Sequence, residues 1–339
     1  MKRLIQSVVL VTAASLSFPV LAGGEVNLYS ARKEALIKPL LERFSSETGI
    51  QVNLVTGKDD ALLERLKSEG DNSPADLFIT ADAGRLHRAQ TAGVLKPVKT
   101  PALEQAVPEN LRDPEGHWYG LSQRARPVFY AKGVVDPAEL STYEALADSR
   151  WKGRICIRSS DNIYNQSLVA SMIASDGEPV TENWAKGFVA NFARPPKGGD
   201  RDQLKAVAAG LCDIAVANTY YFGMMLAGND PEQREAAEKL AIFWPNQGDR
   251  GTHVNVSGIG LTTAAKNRDN AVALMEFLVS PEAQQWYAEV NHEYPVRAGV
   301  PWSDMLESWG RFKADTLNLS VLGENNPAAV MLMDRAGWR

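Results

Sequence analysis

Two alternating series of strands and helices, separated by one long extended stretch, constrain this chain more than any other feature. The first series opens on the short strand Val26-Asn27-Leu28-Tyr29. Leu36, Ile37, Leu40, Leu41 and Phe44 then recur at helical spacing and predict a helix over 33–48, with Gly49 just past its end. A strand over 51–56, a helix over 59–69, a turn at 70–74 and a strand over 75–80 complete a β-α-β-α-β order. That order predicts a parallel sheet with helices on both faces. The second series starts near residue 151. It reads as a strand over 154–158 (RICIR), helices over 165–174 and 200–209, an apolar strand over 212–217 (CDIAVA) and a short strand over 241–244. An unbroken apolar run such as CDIAVA suits a strand buried on both faces. Helices over 268–277 and 282–290 follow.

Residues 119–132 (YGLSQRARPVFYAK) read as one extended stretch between the series, and 251–262 as a second. Two extended crossings imply an α/β chain of two lobes, each a mostly parallel sheet flanked by helices, joined by a hinge. The expected first lobe is 23–122 plus 259–339, and the expected second lobe is 123–258. The first 22 residues have a positive start (Lys2, Arg3), an apolar middle and small side chains at Val20 and Ala22. They read as a signal peptide cleaved after Ala22, which implies export to a bacterial periplasm.

Charge and motifs narrow the function. The chain has 36 basic and 41 acidic residues, so the basic excess of a nucleic-acid binder is missing. Two cysteines are too few for a zinc ribbon or a cysteine-held iron–sulfur cluster. There is no GxSxG, GxxxxGK[ST], HExxH, EF-hand loop or CxxC. The four histidines are scattered, and an enzyme reading is left without a named nucleophile.

Tyrosine placement is the chemical signal. Tyr220 and Tyr221 follow directly on CDIAVA, and Tyr164 follows RICIR at the start of a helix. In open α/β sheets, ligands bind beyond the carboxyl ends of strands. Three phenols therefore fall near one sheet edge. A phenol is neutral at pH 7 unless a strong Lewis acid displaces its proton. A hard trivalent cation does this, and iron(III) is the common biological one.

The sequence resembles the ferric-ion-binding periplasmic proteins, the substrate-binding subunits of bacterial iron(III) ABC importers. The resemblance runs through VNLYSARKEALIKPLLERF, PADLFITADAGRL, YGLSQRARPVFYAK, SSDNIYNQSL, CDIAVANTYYFG, HVNVSGIGL and NHEYPV, and the paired tyrosine is its most specific mark. It implies a type II-like periplasmic binding protein fold and Tyr164, Tyr220 and Tyr221 as iron ligands. It also implies an inner-membrane ABC permease as partner, acting with a monomer. Some members supply a histidine after the first strand; here that segment is Tyr29-Ser30-Ala31-Arg32-Lys33-Glu34. This resembles the subgroup in which arginines hold a synergistic anion, commonly carbonate. Arg32 and Arg124 match those positions. Arg126, two residues further along the same extended stretch, is the alternative to Arg124. Tyr29 and Glu34 are further candidate ligands. Cys156 and Cys212 lie in strands of one sheet. In an oxidising periplasm they are expected to bridge, against the alternative of two buried thiols. The competing functions are the same fold binding an oxyanion or a polyamine, and an exported enzyme.

Overall fold

The computed structural model describes residues 23–339; the expected signal peptide and its cleavage point lie outside the described residues. Strands β1 (Glu25–Ser30), β2 (Gln51–Thr56), β3 (Leu77–Ala81), β4 (Leu95–Lys96) and β5 (Tyr119–Ala125) belong to the first sheet. Strands β6 (Val128–Ala131), β7 (Ile155–Cys156), β8 (Ile214–Val216) and β9 (Leu240–Phe243) make the second, and β10 (Val254–Thr262) returns to the first. The strand orders are β2-β1-β3-β10-β4, with β5 also on β10, and β7-β8-β6-β9. Both sheets are mixed. Pairing is parallel within each alternating series, where helices make the crossovers, as in β1 with β2 and β3 or β7 with β8. It is antiparallel where the linking strands join, as in β10 with β3, β4 and β5 and β6 with β8 and β9.

The helix predicted over 33–48 is two pieces. A 3-10 turn at Glu34–Leu36 precedes the helix Lys38–Thr48, with the break at Ile37. Pro39 sits in the first helical turn, where its missing amide proton costs nothing. Gly49 ends the helix in the left-handed region (φ 74°), with its N–H on the Ser45 carbonyl.

The extended stretch 119–132 divides between the two sheets. Arg126-Pro127 is the break, and proline has no amide to continue a ladder. Residues 123–125 and 254–256, expected in the second lobe, pair with each other as strands of the first sheet, and 257 and 258 pair with 122 and 120. The last residues, expected in the first lobe, reach the second. The Trp338 ring packs 5.2 Å from Phe188 and 5.6 Å from Phe192. Its Nε1 donates to the Arg158 carbonyl at 2.9 Å. An aromatic cluster on the Glu178–Ala190 helix needs an apolar cover, and the C-terminus supplies it. Among the described residues no helix is long and apolar enough to cross a membrane.

Cys156 and Cys212 form a disulfide with a Cα–Cα distance of 5.8 Å. It joins the end of β7 to the segment entering β8, its parallel neighbour. Closing a loop across 56 residues contributes about 4 kcal/mol on the chain-entropy estimate. Alkylation of the unreduced protein should label neither cysteine, and reduction should lower the melting temperature. Two labelled cysteines in unreduced protein would show that the bridge is absent.

Candidate functional site

The second sheet ends where the tyrosines begin. β8 stops at Val216, and the helix Thr219–Ala227 starts three residues later, so Tyr220 and Tyr221 fall in its first turn. Similarly, β7 leads to the helix Ile163–Asp176, with Tyr164 in its first turn. Both helices thus direct their N-terminal ends, where free N–H groups favour negative charge, toward one place. The Tyr220 hydroxyl donates to that of Tyr164 at 3.4 Å, and the Tyr220 and Tyr221 rings lie 4.2 Å apart. The three tyrosines line a cleft of about 510 Å³, with Arg32, Arg124 and Glu293 opposite them from the first lobe.

Burial keeps the paired phenols of Tyr220 and Tyr221 protonated when no metal is bound. Burial first, then Tyr164 and Tyr221, push the Tyr220 phenol well above its ordinary value. Burial likewise pushes Tyr221 up. The Arg124 guanidinium lies 5.0 Å from the Tyr220 ring centroid, in cation–π range. Among the described residues no group of three His, Cys, Asp or Glu is placed to hold a metal. The convergent oxygen donors of the cleft are the phenols, which suit a hard cation strong enough to displace their protons.

The two arginines share one buried carboxylate. Arg32 Nη2 meets Glu293 Oε2 at 2.9 Å, and Arg124 Nη2 meets Glu293 Oε1 at 3.1 Å. The Ser122 hydroxyl also donates to Glu293, and Arg124 donates to the Ser257 hydroxyl. Burial raises the Glu293 carboxyl, but Arg32, Arg124 and Ser122 together hold it below the usual carboxylate range. Burial acts against the Arg124 charge, yet the surrounding groups, the Glu293 carboxylate foremost, outweigh it and keep the guanidinium protonated. The buried Nε and Nη1 of Arg124 and Nε of Arg32 have no protein partner. Unpartnered buried donors are costly, and an oxyanion in the cleft is the chemistry that would satisfy them. Two guanidiniums and one carboxylate carry a net charge of one, not two.

The remaining candidates lie elsewhere. Tyr29 faces the helix Asp59–Glu69, its hydroxyl on Glu69 at 3.0 Å and its ring under Arg65, and it does not line the cleft. Glu34 is exposed and paired with Lys38 at 2.7 Å, one helical turn on. Neither is placed as a ligand, because strand alternation turns Tyr29 to the helix-covered face and the 3-10 turn carries Glu34 outward. Arg126 does not hold the anion side either. Its guanidinium is buried under the tyrosine loops, on Asn165 Oδ1 at 2.6 Å, Asn218 Oδ1 at 2.9 Å and Asp200 Oδ2 at 3.2 Å. None of the four histidines lines the cleft. Glu293 went unmarked in the sequence, where it is one acid in NHEYPV with no local period to single it out.

The chain is similar to proteins of known kind. A family model described as bacterial extracellular solute-binding protein matches residues 40–314. Iron uptake protein A1 of Synechocystis is 54% identical over 315 residues, covering 93% of this chain and 88% of that protein. A Trichodesmium protein solved in complex with iron and citrate ligands superposes with a TM-score of 0.91 at 53% identity, covering 93% of this chain and 100% of that one. The ferric binding protein from Campylobacter jejuni superposes with a TM-score of 0.88 at 42% identity, covering 93% and 100%.

Proposed function

This chain belongs to the bacterial extracellular solute-binding protein family, within its ferric-iron-binding branch, and we infer that it captures iron(III) in the interlobe cleft and delivers it to an ABC permease. The observation that carries the reading is the meeting of Tyr164, Tyr220 and Tyr221 in that cleft, opposite two arginines. Iron(III) bound by three phenolates is neutral, since each phenol gives up its proton to the solvent on binding. Arg32 and Arg124 then hold an anion, carbonate bound in its hydrogencarbonate form or a small carboxylate, that completes the metal's coordination. Guanidinium offers iron no lone pair, so the arginines act on the anion and not on the metal. Closure of the two lobes about the crossings at Arg126-Pro127 and 244–253 is the capture step. The lobes are divided at those crossings, the C-terminal segment bridging them. The chain works as a monomer in the periplasm, after loss of residues 1–22, and as a carrier it requires no catalytic nucleophile.

Titrating iron-free protein with a ferric chelate and bicarbonate tests the reading. A coloured one-to-one complex that survives desalting is expected, from phenolate-to-iron charge transfer. Colourless protein that retains no metal would overturn it. Replacing Arg124 with alanine separates the roles of metal and anion. Loss of an outer-shell partner typically costs ~10–100-fold in metal affinity, and a loss of that size is expected here. The visible band should survive at saturating bicarbonate, and the dependence of affinity on bicarbonate should flatten. An unchanged bicarbonate dependence would remove Arg124 from the anion site.

A further inference from the structure

Glu293 is seated as firmly as the arginines it joins. Gln123 and Tyr294 exchange backbone hydrogen bonds of 2.8 and 2.7 Å, which fixes its loop on β5 beside Arg124. His292 takes a left-handed backbone (φ 54°), a conformation a non-glycine residue adopts at a cost. That turn lies against the tyrosine-bearing helix, so close that a Cβ on Gly223 would fall 2.7 Å from the His292 Cβ. The carboxylate itself is 2% exposed and is met by both guanidiniums. Iron(III) capture by three phenolates does not require this group.

We propose that Glu293 is a specificity-determining residue: by cancelling one of the two guanidinium charges, it selects a singly charged anion over a dianion as the partner of bound iron. The proposal rests on the reading in which Arg32 and Arg124 hold that anion. Iron(III) with three phenolates sums to zero, and Arg32, Arg124 and Glu293 sum to plus one. A monoanion such as hydrogencarbonate or a monocarboxylate closes the buried site at zero. A dianion leaves one uncompensated negative charge in it, which is costly out of water. Lys33, Arg158, Arg201 and Lys205 add positive charge to the cleft and Asp59, Asp200 and Asp202 add negative charge, with Arg158 paired to Asp200 at 3.7 Å. Their field acts equally on any two proteins that differ only at residue 293.

Formate and oxalate serve as probes of one and two charges. Their apparent affinities are read from the charge-transfer band of iron-loaded wild type and of Glu293→Gln, which keeps the shape and removes the charge. A unit charge at ~6 Å in an effective dielectric of ~20 changes binding on the order of a hundredfold per unit of anion charge. The oxalate-to-formate preference should therefore rise at least tenfold in Glu293→Gln. Arg32→Gln, which takes the net charge to zero, should shift the preference toward formate and stands in if Glu293→Gln does not fold. Equal changes for the two anions would overturn the proposal and leave Glu293 as a brace for the arginines. If no anion alters the band of the wild type, the anion reading itself fails, a different result from an unchanged preference.

Discussion

Converting Tyr220 and Tyr221 together to phenylalanine should abolish iron(III) binding and the visible band while leaving the protein folded. Each change removes one oxygen and keeps the ring, so packing such as the 4.2 Å contact between the two rings survives. What goes is two of the three phenolates, and with them two of the charges that balance the metal. Outer-shell losses already cost ~10–100-fold; losing two direct ligands should exceed that range by orders of magnitude. Equilibrium dialysis with a ferric chelate measures the loss, and far-UV circular dichroism checks the fold. A double variant that still retains iron after desalting would remove the pair from the site. The same chemistry sets a pH dependence. Burial pushes both phenols up, so both carry protons below the ordinary phenol range in the iron-free protein. At least two protons leave as iron binds, so affinity should fall by at least about a hundredfold for each unit of acidification below that range, at fixed anion.

Replacing Arg126 with methionine should destabilise the protein by about 3–5 kcal/mol, the usual result of leaving one partner of a buried ion pair alone. Asp200 would remain fully buried after losing its 3.2 Å contact with Arg126, left with the Asn218 N–H at 3.1 Å and, as a charged partner, Arg158 at 3.7 Å. The effect should also reach the metal. Arg126 is bonded to Asn165, next to Tyr164, and to Asn218, two residues before Tyr220. It therefore positions both tyrosine loops from below, and its loss should broaden the charge-transfer band as well as lower the denaturation midpoint. Adding Asp200→Asn should recover most of the stability but not the band, because only the charge is repaired. A single variant within 1 kcal/mol of wild type would show that the pair contributes little.

Much of this site was legible because it depends on local order in the chain. A strand that feeds a helix must end at the sheet edge, so residues after CDIAVA and RICIR had to emerge where a ligand sits. Alternation alone would put Arg124 and Arg126, two residues apart, on one face; they diverge, one to the cleft and one under the tyrosine loops, because the strand ends at Ala125 and the Arg126-Pro127 break turns the chain. Cys156 and Cys212 could pair because their strands belong to one series and lie side by side.

Other features had no local cause. Alternation alone does not say which face of β1 a helix covers, and packing of Arg65 and Glu69 against Tyr29 decided it. β5 and β10 extend their ladder to Ala125 and Val254, past the lobe boundaries expected from sequence, a gain in hydrogen bonds that hydropathy does not report. Trp338 crosses to the second lobe to cover an aromatic cluster more than a hundred residues earlier in the chain. Glu293 is the extreme case, 261 residues from Arg32 and 169 from Arg124. Strand ends, helix starts and alternation follow from the sequence alone, because they depend on backbone geometry over a few residues. The buried carboxylate beside the cleft was decided only by the tertiary structure, because a long-range ion pair exists only once the fold has brought its partners together and excluded water from between them.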